Sequence, residues 1–312
     1  MKKRIESEIK QSCYWVPLNK NSLQYDRNEG TLKEKKFNKK VLKSIRKMGL
    51  HNLFLNVENK YQCGFEIEFY INPKIIPQLQ NLFSKALPKS QMLLSNTKNV
   101  VKTNGRNFYL MDETTGNPPH GLSSFEIVSP TLDFKCIPYY LVKITDILNN
   151  LGAKSDHNIG FHIHFSTVED PLVSPVSLMF FLHKNRALPF PERKFSRDIV
   201  KQIFSYSPKN WKYIFEEISR KCYNVNFMDF NRNSHIEVRS FGGENYLKNQ
   251  NGMINVFKSV LISYEDCLSK TENEIAKEIV KKYKLNRKKA ELKQITYKKM
   301  LKLNKSSLWI TY

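Results

Sequence analysis

The chain has 312 residues, 40% of them hydrophobic and 26% charged, with a formal net charge of +22. That length can bury a sizeable core, and the composition is that of a soluble globular protein, not a disordered or membrane-embedded one. The longest apolar run, residues 178–182, is far too short to span a membrane, no apolar segment follows the basic start MKKRIESEIKQ, and the five cysteines lack C-x-x-C spacing; this argues against a signal peptide, a disulfide scaffold or a thiolate zinc site and predicts reduced thiols in a cytoplasmic protein.

The charge is uneven. Residues 1–60 hold 15 basic and 6 acidic side chains, residues 271–312 hold 12 and 4, and the stretch between them keeps only +5. Basic flanks suit contact with nucleic acid or another polyanion, such as an acidic protein, and equally a lysine-rich, well-solvated surface. Within the first flank, KEKKFNKKVLKSIRKMGL reads as a basic helix stopped near Gly49.

GFEIEF (64–69) opens the folded core as a strand. Residues 76–87 fit a short amphipathic helix. Residues 92–97 and 107–111 look extended, and Asn104-Gly105 between them signals a hairpin turn. Residues 114–124 read as a loop, and FEIVSP (125–130) as a strand ended by Pro130. Ile137, Leu141, Ile144, Leu148 and Leu151 stand at helical spacing ahead of Gly152, a C-cap. FHIHFS (161–166) is again a strand. Residues 172–188, 196–205 and 210–221 are helical candidates. Residues 225–230 and 235–241 pair as a hairpin across 231–234. Residues 250–268 form an amphipathic helix, and the tail from 272 to 303 continues in a helical pattern. Interspersed strands, hairpins and helices make the class α+β with a largely antiparallel sheet.

Four of these strands share one design: GFEIEF, FEIVSP, FHIHFS and HIEVRSF (235–241) alternate apolar residues with carboxylates, histidines or an arginine. Alternation puts Phe65, Ile67 and Phe69 in the core and Glu66 and Glu68 on the opposite face, with Glu126, the pair His162 and His164, and the pair Glu237 and Arg239 on corresponding faces. If the strands are neighbours, four carboxylates and two imidazoles converge, and such a surface repels itself unless cations fill it. Each pattern alone has a plainer reading: a solvated Glu-x-Glu face, a hydrogen-bonded histidine pair, or a Glu–Arg ion pair on a strand surface. Together, many carboxylate oxygens and few imidazoles favour Mg²⁺ or Mn²⁺ over zinc. Mg²⁺ sites commonly include substrate phosphates, and Arg239 has the planar fork that binds such oxygens. No phosphate-binding glycine loop of the P-loop or dinucleotide type is present.

GFEIEF, Asp112 ahead of FEIVSP, GFHIHFS, and CYNVNF followed by HIEVRSFGG occur in an order that resembles the amidoligase branch of the glutamine synthetase-like carboxylate–amine ligases. The resemblance spans roughly residues 61–268. It implies a glutamine synthetase-like curved, mainly antiparallel sheet with helices packed on its convex side. It implies a catalytic domain over 61–270, with the basic extension over 1–60 and the basic helical tail over 271–312 lying outside it. It implies ATP and Mg²⁺ (or Mn²⁺) as cofactors and an ATP-dependent joining of a carboxylate, on a peptide or protein, to an amine through an acyl phosphate. Glu66, Glu68, Glu126, His162 and Glu237 would then be metal ligands. His164 and Arg239 would lie at the nucleotide and the reacting phosphate, Asn226 would orient substrate, and Arg193 and Arg197 would add positive charge. Arg186, Lys221, Tyr223 and either Asp112 or Glu113 are further candidates. The basic flanks would recruit an acidic macromolecule, and an oligomer is compatible with the pattern. Two other functions fit the same residues: a polyanion- or nucleic-acid-binding protein with a degenerate ligase site, and a kinase of the same fold that stops at phosphorylation.

Overall fold

The computed structural model describes residues 40, 43–50, 53, 61–87, 91–95, 107–114, 116–167, 173, 175–188, 223–226 and 234–283. The fold is α+β, as the strand and helix patterns predict. Its strands are β1 (Tyr61–Ile71), β2 (Gln91–Ser95), β3 (Asn107–Asp112), β4 (Ser123–Val128), β5 (Leu132–Asp133), β6 (Gly160–Thr167), β7 (Val225–Asn226) and β8 (Ile236–Gly242). They form one sheet in the order β2-β3-β4-β1-β6-β8-β7, with β5 also paired to β1. Every pairing is antiparallel except β2 with β3.

That exception corrects one sequence reading. Gln91 to Ser95 run parallel to Asn107 to Met111, and parallel strands cannot be joined by a two-residue hairpin turn. The Asn104-Gly105 signal falls outside the described residues. The hairpin predicted over 225–241 is seen in part: Val225 and Asn226 pair antiparallel with Val238 and Glu237.

The helices are α1 (Ile76–Ala86), α2 (Ile137–Asn150), α3 (Pro175–Lys184), α4 (Gln250–Ser269) and α5 (Glu272–Tyr283). The apolar stripes of α1 to α4 share one core with the odd-numbered face of β1, where Phe65, Ile67 and Phe69 are fully buried. Ile45 and Leu50, from the end of the basic N-terminal flank, join that core. Gly49 adopts a φ of +67°, the left-handed geometry of a helix stop. Gly152 ends α2 the same way, at φ +75°, and Ala153 N–H then reaches back to Leu148 O at 2.9 Å. The Asn249 side chain caps α4 by accepting from Gly252 N at 2.9 Å. A small separate cluster of Phe180, Phe181, Ile275 and Ile279 seats α5 against α3. Among the described residues no helix is long and apolar enough to cross a membrane. The predicted helices over 196–205 and 210–221 and the tail beyond residue 283 lie outside the described residues.

Two irregularities shape the sheet around β1. Its edge partner changes from β5 to β4 near Phe65. There Ser129 bridges the gap: its backbone N donates to Phe65 O at 2.9 Å and its Oγ accepts from Phe65 N at 2.8 Å. On the other side, the β6–β8 register shifts between Phe161, opposite Phe241, and Ile163, opposite Val238. Two residues of β8, Arg239 and Ser240, thus oppose His162 alone, a bulge that re-aims side chains at a strand's working face.

Candidate metal and active site

The face of the sheet opposite the helices gathers the predicted charged residues in rows. Glu66 pairs with His162 across β1 and β6, and Glu68 with Glu126 across β1 and β4. His164 pairs with Glu237 across β6 and β8, and Glu237 with Asn226 across β8 and β7. Four strands thus deliver four carboxylates and two imidazoles to one surface, although Glu66 and Glu237 lie far apart in the chain.

His162 is the centre, with a side chain only 1% exposed. Its Nδ1 lies 2.8 Å from Glu66 Oε2 and 3.4 Å from Glu237 Oε1, and its Nε2 lies 3.5 Å from Glu68 Oε1. One donor atom each from Glu66, His162 and Glu237 falls within 4.8 Å of the others, a set that can close on a single cation. The remaining oxygens are held by neighbours. Gly160 N–H donates to Glu68 Oε2 at 2.6 Å, and the Asn226 amide donates to Glu237 Oε2 at 2.9 Å. Arg239 donates through Nη1 to Glu237 Oε1.

The electrostatics follow from this crowding. Burial pushes the Glu66 carboxyl up, but the imidazoles of His164 and His162 outweigh it and hold Glu66 well below the usual range. Burial likewise opposes ionisation of Glu237, which His162, His164 and Arg239 nonetheless keep depressed. Glu126 goes the other way. Burial first, then the negative charges of Glu66, Glu68 and Glu113, push it up to about 10. In the metal-free protein Glu126 is therefore a neutral acid that hydrogen-bonds the Glu66 carboxylate. Carboxyls that must share a proton to coexist are a donor set that fits a divalent cation, which would take the proton's place.

His164 extends the site sideways. Burial disfavours its charged form, but Glu66 and then Glu237 raise its pKa. Its Nε2 is 3.0 Å from Glu66 Oε1, and its Nδ1 is 3.3 Å from His235 Nε2. The two ring planes differ by 10° while the centroids stand 5.4 Å apart, so this contact runs edge to edge in nearly one plane. A carboxylate–imidazole–imidazole chain thus leads from Glu66 to His235. It borders a cavity of about 320 Å³ lined by Gln62, Gly64, Ser129, Ser166, His164 and His235 among others. Gly64 supplies no side chain there. A Cβ on it would meet Ser129 Oγ at 3.4 Å and His164 Cβ at 3.8 Å, which is ordinary contact.

Of the sequence candidates, Glu66, Glu68, Glu126, His162, His164, Asn226, Glu237 and Arg239 come together. Between the two alternatives for an extra carboxylate, Glu113 is on the site face: its N–H pairs with Ser124 O, and its charge acts on Glu126. Asp112 pairs with Phe125, on the opposite parity, and is exposed. Arg186 is an exposed residue just beyond α3 with a left-handed φ of +58°, and Tyr223 is buried in the core. Arg193, Arg197 and Lys221 lie outside the described residues. His235 is a site residue that the sequence reading passed over. Its parity with Glu237 and Arg239 in HIEVR was the available signal.

The family model described as "Putative amidoligase enzyme" matches residues 59–182. The matched segment runs from just before β1 into α3, so it includes Glu66, Glu68, Glu126, His162 and His164, while Asn226, His235, Glu237 and Arg239 come from chain beyond it. No curated protein matches the chain. Among solved structures, a Plasmodium falciparum glutamine synthetase determined by cryo-electron microscopy is similar over 73% of this chain and 55% of its own, at 13% identity and a TM-score of 0.35. The chain thus spans just over half the length of that glutamine synthetase chain.

Proposed function

We propose that the protein is an ATP- and Mg²⁺-dependent carboxylate–amine ligase, forming an amide or isopeptide bond through an acyl phosphate. The observation that carries this reading is the Glu66–His162–Glu237 triad, with donor atoms within 4.8 Å of one another, beside the Glu68–Glu126 pair. Glu66, His162 and Glu237 would hold one divalent cation, and Glu68 and Glu126 a second. Such cations would neutralise the repulsion between a carboxylate and the phosphates of ATP and keep the reacting oxygens in line.

The chain's own groups have complementary tasks. Arg239 is anchored through one nitrogen to Glu237, which leaves the rest of its fork to present a fixed positive charge that would bind a phosphate oxygen. Asn226 fixes the second oxygen of Glu237 and so orients that ligand. His164, braced between Glu66 and His235, would contact the nucleotide's phosphates. The cavity over Gly64 would receive the rest of the nucleotide. The buried sheet surface keeps water from an acyl phosphate until the amine displaces the phosphate group. The carboxylate substrate, on a peptide or protein, and the amine would meet at the Glu68–Glu126 end. The basic flanks, +17 together, would recruit an acidic macromolecule.

The test is phosphate release from ATP with Mg²⁺, screened against pools of amines and carboxylates. Amine-stimulated release is expected, and Glu66→Gln and Glu237→Gln should each lower it by at least a hundredfold while the protein stays folded. Unchanged turnover in both variants rejects the assignment. Phosphate transfer without any amine requirement would mark a kinase instead. Absence of nucleotide binding, with salt-sensitive polyanion binding that ignores Glu66→Gln, would favour a binding protein.

A further inference from the structure

The ladder between β1 and β6 stops where the site needs it to be rigid. The two strands pair from Tyr61 with Thr167 to Ile67 with Phe161. Past that point β1 turns to another partner, and Tyr70 exchanges both backbone hydrogen bonds with Lys154 at 2.9 Å. Glu68 and Gly160 therefore face each other across an opening with no ladder between them, although Glu68 stays paired with Glu126 on β4 and Gly160 with Gly242 on β8.

A side chain from beyond β8 fills that opening. The Tyr246 hydroxyl is shared between two carbonyl acceptors, Glu68 O and Gly160 O, the latter at 2.9 Å. Gly160 in turn donates its N–H to Glu68 Oε2 at 2.6 Å. The Glu68 main chain, the Tyr246 hydroxyl, Gly160 and the Glu68 carboxylate thus form a closed ring of contacts. The loop that carries Tyr246 is built to reach back. Gly243 adopts a φ of +101° and Asn245 a φ of +58°, Asn149 Nδ2 donates to Leu247 O at 3.0 Å, and Phe241 packs edge-on against the Tyr246 ring. Tyr246 itself is 1% exposed.

We propose that Tyr246 is a positioning residue for the cation site: its hydroxyl locks Gly160 and the Glu68 main chain so that the Glu68 carboxylate is held with one oxygen on Gly160 and the other turned toward His162. This rests on the reading of Glu68 as a metal ligand. A tyrosine serving the core alone needs one acceptor. This one joins the two strands whose separation sets the Glu68 carboxylate, at the single point where their own pairing has ended.

The experiment measures Mn²⁺ binding to the full chain without nucleotide, by electron paramagnetic resonance or calorimetry. Tyr246→Phe is compared with Tyr61→Phe, which removes another buried-tyrosine hydrogen bond, to Glu265. Tyr246→Phe should weaken Mn²⁺ binding about tenfold or more, and Tyr61→Phe should leave it within about twofold while losing comparable thermal stability. Asn149→Ala, which loosens the loop without touching the hydroxyl, should weaken binding by an intermediate factor and serves if Tyr246→Phe does not fold. Wild-type-like affinity in both Tyr246→Phe and Asn149→Ala, or in Asn149→Ala alone if Tyr246→Phe does not fold, overturns the inference and leaves the ligase reading standing. A wild-type protein that takes up no Mn²⁺ overturns both.

Discussion

Glu126 is the residue on which the site's chemistry turns. Glu66 and Glu237 are paired with imidazoles and stay ionised, whereas Glu126 meets mostly other carboxylates and keeps its proton. A divalent cation would reverse that, so metal uptake near neutral pH should release about one proton per chain, measurable in a weakly buffered titration. The sign for stability follows from the direction of the shift. A carboxyl raised in the folded state favours folding fully below the ordinary carboxyl range, and this stability is lost progressively as pH rises toward about 10. Glu66 and Glu237 act oppositely, stabilising above the ordinary range and losing that effect as pH falls. Glu126→Gln should therefore raise the melting temperature of the metal-free protein most at alkaline pH and flatten its decline between about pH 7 and about pH 9. A steeper decline than in the wild type would contradict this. The side chains behind this chemistry were legible because each strand's alternation sorts them by face. Glu113 was not separable from Asp112, since at a strand end the parity is fixed only by the bond from Glu113 N–H to Ser124 O.

At the scale of elements, apolar spacing placed α1, α2 and α4 almost to the residue, and Gly49 and Gly152 stop their helices through the positive φ that glycine permits. Strand pairing was harder to read. Asn104-Gly105 encodes a preference for a tight turn, but tertiary pairing laid β2 parallel to β3 instead, because pairing partners are set by the whole sheet and not by one dipeptide. Gly252, in the first turn of α4, shows a similar contest between local and tertiary terms. Helix propensity favours alanine over glycine by about 1 kcal/mol. Yet a Cβ there would sit 2.5 Å from Phe241 Cζ and 2.8 Å from the Asn249 amide that caps the helix. Displacing a packed ring and disturbing a cap costs about 1–3 kcal/mol. Gly252→Ala should thus be net destabilising by about 1 kcal/mol, read as a lower denaturation midpoint with an unchanged slope. A raised midpoint would show that Phe241 swings aside freely.

For the whole molecule, the metal-free protein stores like charge in its centre and spreads positive charge over its flanks. A cation that binds only the folded state stabilises it by about 2.7 kcal/mol at a hundredfold excess over its dissociation constant. Mn²⁺ should accordingly raise the melting temperature by several degrees, chelation should reverse the gain, and Glu66→Gln should abolish it. An equal shift in that variant would place the effect at some other site. The overall class was readable because alternating and helical periods are local properties. The cavity over Gly64 was not, since it arises from where Ser129, just past β4, and His235, just ahead of β8, come to lie.

The sheet order sets a timetable. Among the described strands β1 emerges first yet lies in the middle, and its partner β6 follows only after four more strands and two helices. A growing chain therefore presents Glu66, Glu68 and Glu126 before His162, Glu237 and Arg239 exist to balance them. Contacts of such wide sequence separation form slowly. The self-repelling half-site discourages premature collapse on that face, and the last central strand, β8, supplies both the final carboxylate and the arginine. The ionic chemistry of the finished site is thereby also a checkpoint on assembly, since only a chain whose β6 and β8 have docked in register neutralises its own centre.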